Sequence, residues 1–128
     1  MENNQNPLSP HLQIYKWQIS SLLSIAHRIV GVINIFLISL ICFWILSLLL
    51  GDNSYEATRI FLESTFGKFL IVSFCWTFSF HILNEIRHLA WDLGYGFELK
   101  IAKITGILVF VGSFILTILF YMAGRNFI

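Results

Sequence analysis

Apolar residues along this chain fall into three long uncharged runs separated by short polar joints. The runs are Ile29 to Leu50, Phe69 to Asn84 and Ile104 to Gly124. A helix needs roughly 20 residues to cross about 30 Å of hydrocarbon. The first and third runs reach that length unaided. The middle run reaches it only if its helix continues through Glu85, Arg87 and His88. Charges at membrane depth are costly and normally face a protein interior, so that continuation is the first pointer to function. The pattern predicts an all-α integral membrane protein with three transmembrane helices, at about residues 21–50, 66–92 and 103–124. An arm, residues 1–20, precedes this membrane domain, residues 21–128.

The joints carry their own signals. Gly51-Asp52-Asn53-Ser54 ends the first helix and Gly94-Tyr95-Gly96 follows the second. Tyr55 to Ser64 reads as a short surface segment. Pro7 and Pro10 make the arm extended, and Tyr15, Trp17 and Trp91 mark water–lipid boundaries.

Composition agrees with lipid as the solvent. Of the 128 residues, 57% are hydrophobic and 12% charged, and a soluble fold of this size could not hide that much apolar surface. A net charge of +1 without a basic patch excludes a nucleic-acid partner. Cys42 and Cys75 sit within apolar runs as buried free thiols; with no CxxC or CxxCH there is no cysteine-held cluster, zinc site or covalent haem. The amino-terminal stretch has the character of neither a signal peptide nor a transit peptide. That suits a bacterial inner membrane, or a mitochondrial inner membrane if the protein is organelle-encoded. With the amino terminus inside, the inner segments hold Lys16, Arg28, Arg87, Lys100 and Lys103, and the outer ones Arg59, Lys68 and Arg125. The basic excess predicts the amino terminus, and the Gly94 to Lys103 loop, on the cytoplasmic or matrix side.

Two clusters carry the candidate chemistry. Ser24, His27 and Arg28 share one helical face at i, i+3 and i+4. His81, Glu85, His88 and Asp92 form a stripe at i, i+4, i+7 and i+11. The first two helices must run antiparallel, which brings the first cluster to the depth of His88 and Asp92, with His81 deeper. This spacing fits a b-type haem. His81 supplies a neutral imidazole as axial iron ligand, and His88 and Arg28 stand where propionates would want cations. His27 joins them as a cofactor-binding candidate. It lies about five residues from its helix end and His81 about ten, a depth mismatch of roughly 7 Å, which points to a second axial ligand from another subunit. Ser24 can donate a hydrogen bond to a quinone carbonyl and Arg28 can stabilise the charge that develops there. Against this stands a plainer reading, in which the cations snorkel and the histidines only pack helices.

The stretches Pro7-Leu8-Ser9-Pro10-His11-Leu12-Gln13-Ile14-Tyr15, Ser24-Ile25-Ala26-His27-Arg28 and His81 to Gly94 resemble the cytochrome-b-type membrane anchors of succinate dehydrogenase, in the same order and on the same helices. The resemblance implies a role in succinate:quinone reduction, linking the citric acid cycle to electron transport. The partners it implies are a flavoprotein subunit that oxidises succinate, an iron–sulfur subunit and a smaller membrane anchor that completes the helical bundle. It also implies haem b shared with a partner subunit, with His81 as axial ligand and Arg28 and His88 by the propionates, and a ubiquinone pocket that includes Ser24 and Arg28. Glu85 departs from the family, which usually has a small residue there; it could crowd a haem or turn aside to pair with an arginine. The competing readings are a stand-alone b-type cytochrome and a haem-free structural anchor. No nucleotide-binding glycine pattern or acid–base dyad is present, so no succinate-oxidising catalytic residue is assigned to this chain.

Overall fold

A computed structural model describes residues 16–127. The amino-terminal arm up to Tyr15, with its prolines, lies outside the described residues. Four helices follow one another: α1 (Ile19–Leu49), α2 (Asp52–Glu63), α3 (Thr65–Asp92) and α4 (Leu99–Phe127). Three of them, α1, α3 and α4, are long and apolar enough to cross a membrane. The chain is a multi-pass membrane protein.

The outer surface is that of a protein solvated by lipid. Ile35, Phe36, Phe43, Phe69, Leu108 and Ile118 all stand exposed around the helices. The interior is thin and partly polar. Leu23, Val30, Phe80 and Val109 form the apolar core, with Ile19, Ala26, Trp76 and Leu83 packed against it. Buried beside them are Thr77, Ser79, Ser113 and Thr117. Their hydroxyls donate to carbonyls of their own helix, Ser79 to Cys75 and Thr117 to Ser113 each at 2.6 Å. Small side chains satisfied in this way let apolar helices approach without leaving an open polar group. Gly106 has the same role. A Cβ there would press on Leu23 and Ile19, so α4 meets α1 through a glycine.

The joints follow from local chemistry. Gly51, with φ 105°, separates α1 from α2. At the next corner the Gly67 N–H donates to Ser64 Oγ at 3.1 Å, which caps α3. A Cβ on Gly67 would run into the backbone of Phe61 and Leu62, so only glycine allows so sharp a corner. Gly94 and Gly96, with φ of 82° and 79°, turn the chain between α3 and α4. Trp91 Nε1 ties that turn down by donating to the Gly96 carbonyl at 3.1 Å.

Three features differ from the pattern-based expectation. Ser64 caps α3, and the segment Tyr55 to Glu63 belongs to a helix, α2, which has no buried residue. Its charges pair along its own surface, Arg59 with Glu63 at 3.0 Å and with Glu56 at 3.6 Å. Second, α4 begins at Leu99, so Lys100 and Lys103 lie on its first turns and the preceding joint is short. Cations at a helix end stop an apolar run without stopping the helix, because their stems can reach back to the interface. Third, Cys42 is exposed and Cys75 half-buried, so Cys42 packs against the surroundings of the bundle rather than inside it.

Candidate functional site

The helix α1 carries Ser24, His27, Arg28 and Gly31, and α3 carries His81, Glu85 and His88, each set within two turns. Where the two helices cross, the three histidines come together. The His27 and His81 rings stack with centroids 4.3 Å apart and planes at 14°. The His27 and His88 rings lie 5.6 Å apart at 46°. The His88 and Trp91 rings meet at right angles with centroids 5.1 Å apart, at the Asp92 end of the cluster.

The expected depth mismatch between His27 and His81 is absent. Counting from helix ends failed because the ends are not level: α1 starts at Ile19, which sets His27 eight residues in. His81 lies eleven residues from the α3 end at Asp92, so the remaining offset is three residues, about 4.5 Å and less than one turn, within the reach of two side chains. Stacked rings hold their faces, rather than two opposed nitrogens, toward each other. A second axial ligand within this chain therefore does not follow from their proximity.

Glu85 turns toward His27. Its Oε1 lies 3.0 Å from His27 Nε2, and the two side chains are 50% and 18% exposed respectively. The approach is close but lacks the alignment of a hydrogen bond, so the buried His27 Nε2 remains without a proper partner. Of the two fates open to Glu85, pairing with an arginine is not the one adopted. Among the described residues the ion pairs of the chain put no Lys or Arg beside it. His81 Nδ1 is likewise buried and unpartnered. Opposite it, a Cβ on Gly31 would sit 3.5 Å from the His81 ring, so the glycine leaves a slot one methyl wide. Ser24 and Arg28 are exposed on the same flank of α1 as His27, and Asp92 is exposed at the end of α3.

The next helical face of α3 behaves differently. Phe80, Asn84 and Arg87 are its most buried large residues, at i, i+4 and i+7. Arg87 turns inward to α4, donating from Nη2 to the Ala102 carbonyl at 2.9 Å and from Nε to Thr105 Oγ1 at 3.2 Å. Its guanidinium also lies 4.1 Å over the Trp91 ring. Sequence reasoning counted Arg87 among the inner charges and among those at membrane depth that face a protein interior, but missed its partners on α4. The signal was available, since Arg87 continues the Phe80–Asn84 stripe rather than the histidine stripe. An open groove of about 330 Å³ beside Arg87, lined by Leu83, Ile86, Trp91 and Leu108, is almost wholly apolar. It is not lined by any of the three histidines.

This arrangement can be set beside known proteins. The family model for the succinate dehydrogenase/fumarate reductase transmembrane subunit matches residues 2–120. This chain belongs to that family. Among its relatives, the succinate dehydrogenase cytochrome b556 subunit of Rickettsia conorii is 44% identical over 93% of both chains. The cytochrome b556 subunit of Paracoccus denitrificans is 29% identical over 93% of this chain and 92% of its own. The cytochrome b560 subunit of Reclinomonas americana is 36% identical over 91% of this chain and 85% of its own. Relatives in the family are thus named as b-type cytochromes. The residues at the α1/α3 crossing suit such a group. They offer imidazoles, an orphaned buried nitrogen on His81 and a glycine slot opposite it.

Proposed function

We propose that this chain is a membrane-anchor subunit of succinate dehydrogenase that holds haem b and forms part of a ubiquinone site, without itself oxidising succinate. The observation that carries this reading is the meeting of His27, His81 and His88 at one crossing, with Ser24 and Arg28 on its exposed rim. His81 would hold the haem iron, and its orphaned nitrogen and glycine slot support that choice. His88 and Arg28 serve the propionates, and His27 lines the pocket. Haem bound there would take up and pass on single electrons. A smaller anchor subunit would supply the other iron ligand, so the group would be shared. The flavoprotein and iron–sulfur subunits complete the enzyme and dock at the inner end of the bundle.

Ser24 donates to a quinone carbonyl, and Arg28, always charged, stabilises the negative charge that develops there as electrons arrive. Their exposure leaves that rim open to a ligand or a partner subunit. In the purified complex, Ser24→Ala is expected to lower quinone reduction roughly 100-fold, about 3 kcal/mol, the usual cost of one such donor. Succinate oxidation measured with a soluble dye should stay near wild type. Arg28→Ala should disturb both quinone reduction and the haem spectrum. Wild-type quinone reduction in both variants would place the site on another face.

The amino terminus lies on the cytoplasmic or matrix side of an inner membrane. Lys16, Arg28, Lys100 and Lys103 gather at that end, and the partner subunits meet the helices there. A reporter fused after Ile128 should therefore be active only outside. Activity confined to the inner side would reverse the orientation.

A further inference from the structure

We propose that His27, His81 and Glu85 also form a binding site for a divalent first-row metal ion of the zinc class, in competition with haem. The three residues offer two imidazole nitrogens and a carboxylate oxygen, all within 4.8 Å of one another. His81 and Glu85 stand four residues apart on α3, which sets both on one face, and His27 faces them from α1. Two ligands on one helical turn and a third from a neighbouring helix make a set of the kind that leaves a fourth position for water.

The spacing needs only modest closure. Bonds of about 2.0–2.2 Å to nitrogen and carboxylate oxygen put tetrahedral ligand atoms about 3.4 Å apart. His27 Nε2 and Glu85 Oε1 are already 3.0 Å apart. His81 has to swing toward them, and the stacked rings have to open by rotation about their side-chain bonds. Glu85, half exposed, can adjust without disturbing the helix.

Electrostatics argues the same way. Glu85 lies within a membrane-spanning helix, where a carboxylate is costly, and its neighbour at 3.0 Å is a histidine rather than a Lys or Arg. A bound dication would turn an isolated anion and two imidazoles into a compensated cluster. Imidazole and carboxylate together suit zinc, cobalt and nickel, whereas a set with two nitrogens disfavours magnesium and calcium.

The inference rests in part on the reading that haem uses His81, because one nitrogen set cannot serve both. The test uses the whole complex in detergent, prepared from haem-deficient and from haem-replete cells, with Co²⁺ as an optical probe. Haem-depleted wild type should bind one Co²⁺ per chain with the visible bands of a low-coordinate ion, displaceable by Zn²⁺. Glu85→Gln, nearly isosteric, should weaken binding at least about tenfold, since outer-sphere partners alone are worth that much. Asp92→Asn, on the same helix but outside the set, should leave it unchanged. Absence of those bands from wild type would overturn the site, as would a Glu85→Gln complex that bound Co²⁺ as wild type does. Binding that needs Glu85 but is equal in haem-replete complex would uphold the metal site and overturn ligation of haem by His81.

Discussion

Arg87 and the histidine crossing, on two flanks of α3, treat their polar groups differently. Toward α4, Arg87 is 6% exposed, yet it has a carbonyl, a hydroxyl and an indole ring arranged around it. At the α1 crossing, His27 Nε2, His81 Nδ1 and Asn34 Oδ1 are buried without a hydrogen-bond partner, and so, elsewhere on α3, are Trp76 Nε1 and both amide atoms of Asn84. Without water at that depth, an orphaned polar atom is expensive, so bilayer proteins ordinarily satisfy such groups internally. The satisfied arginine ties α3 to α4. The unpartnered histidine nitrogens are the atoms that the proposed site would engage. A buried charge alone therefore says little about function in a membrane; what distinguishes a site is whether its polar atoms already have partners.

The contrast can be broken experimentally. The largest effect is expected from His81→Ala, which should abolish or shift the b-type absorption bands of the dithionite-reduced complex while the complex stays assembled. An unchanged spectrum would remove His81 as a haem ligand. Next in size, Arg87→Ala should leave the spectrum in place but lower resistance to unfolding in detergent. The expected loss is about 1–3 kcal/mol, from the charged hydrogen bonds it makes across to α4. An equal loss of haem at full stability would put Arg87 with the histidine crossing instead. Smallest, Thr105→Val removes one of the two acceptors of Arg87 and should cost about 0.5–1 kcal/mol by the same unfolding measurement. An effect as large as that of Arg87→Ala would mean that Thr105, rather than the Ala102 carbonyl, anchors the arginine.

Much of this architecture was legible before any coordinates. Two of the three spans follow from uncharged runs long enough for a bilayer, the middle one from carrying its run on through Glu85, Arg87 and His88, and the glycine joints from residues that tolerate positive φ. The histidines were found because periodicity puts His81, Glu85 and His88 on one stripe. What escaped was mostly relative height and rotation. The His27–His81 stack depends on where α1 begins, and Ile19 is not marked by any capping side chain. The inward turn of Arg87 depends on α4, whose Thr105 and Ala102 lie 18 and 15 residues further along. The Glu85–His27 contact joins two helices, and no single-helix pattern could show it. The helix α2 escaped for a simpler reason: at 12 residues with a polar surface, it lacks the apolar run that marked the others.

That short helix has a consequence for how the protein enters its membrane. With the amino terminus inside, α2 is the segment that must be pushed across during insertion, and it carries Asp52, Glu56 and Glu63 against Arg59 alone. Its net charge of −2 moves toward the positive side of an energised membrane, so electrophoresis assists the passage rather than opposing it. The pairing of Arg59 with two of those carboxylates then leaves a folded rod at the far surface. Its charges lie on the outside of the helix, where water can hold it and keep the hairpin of α1 and α3 from slipping back.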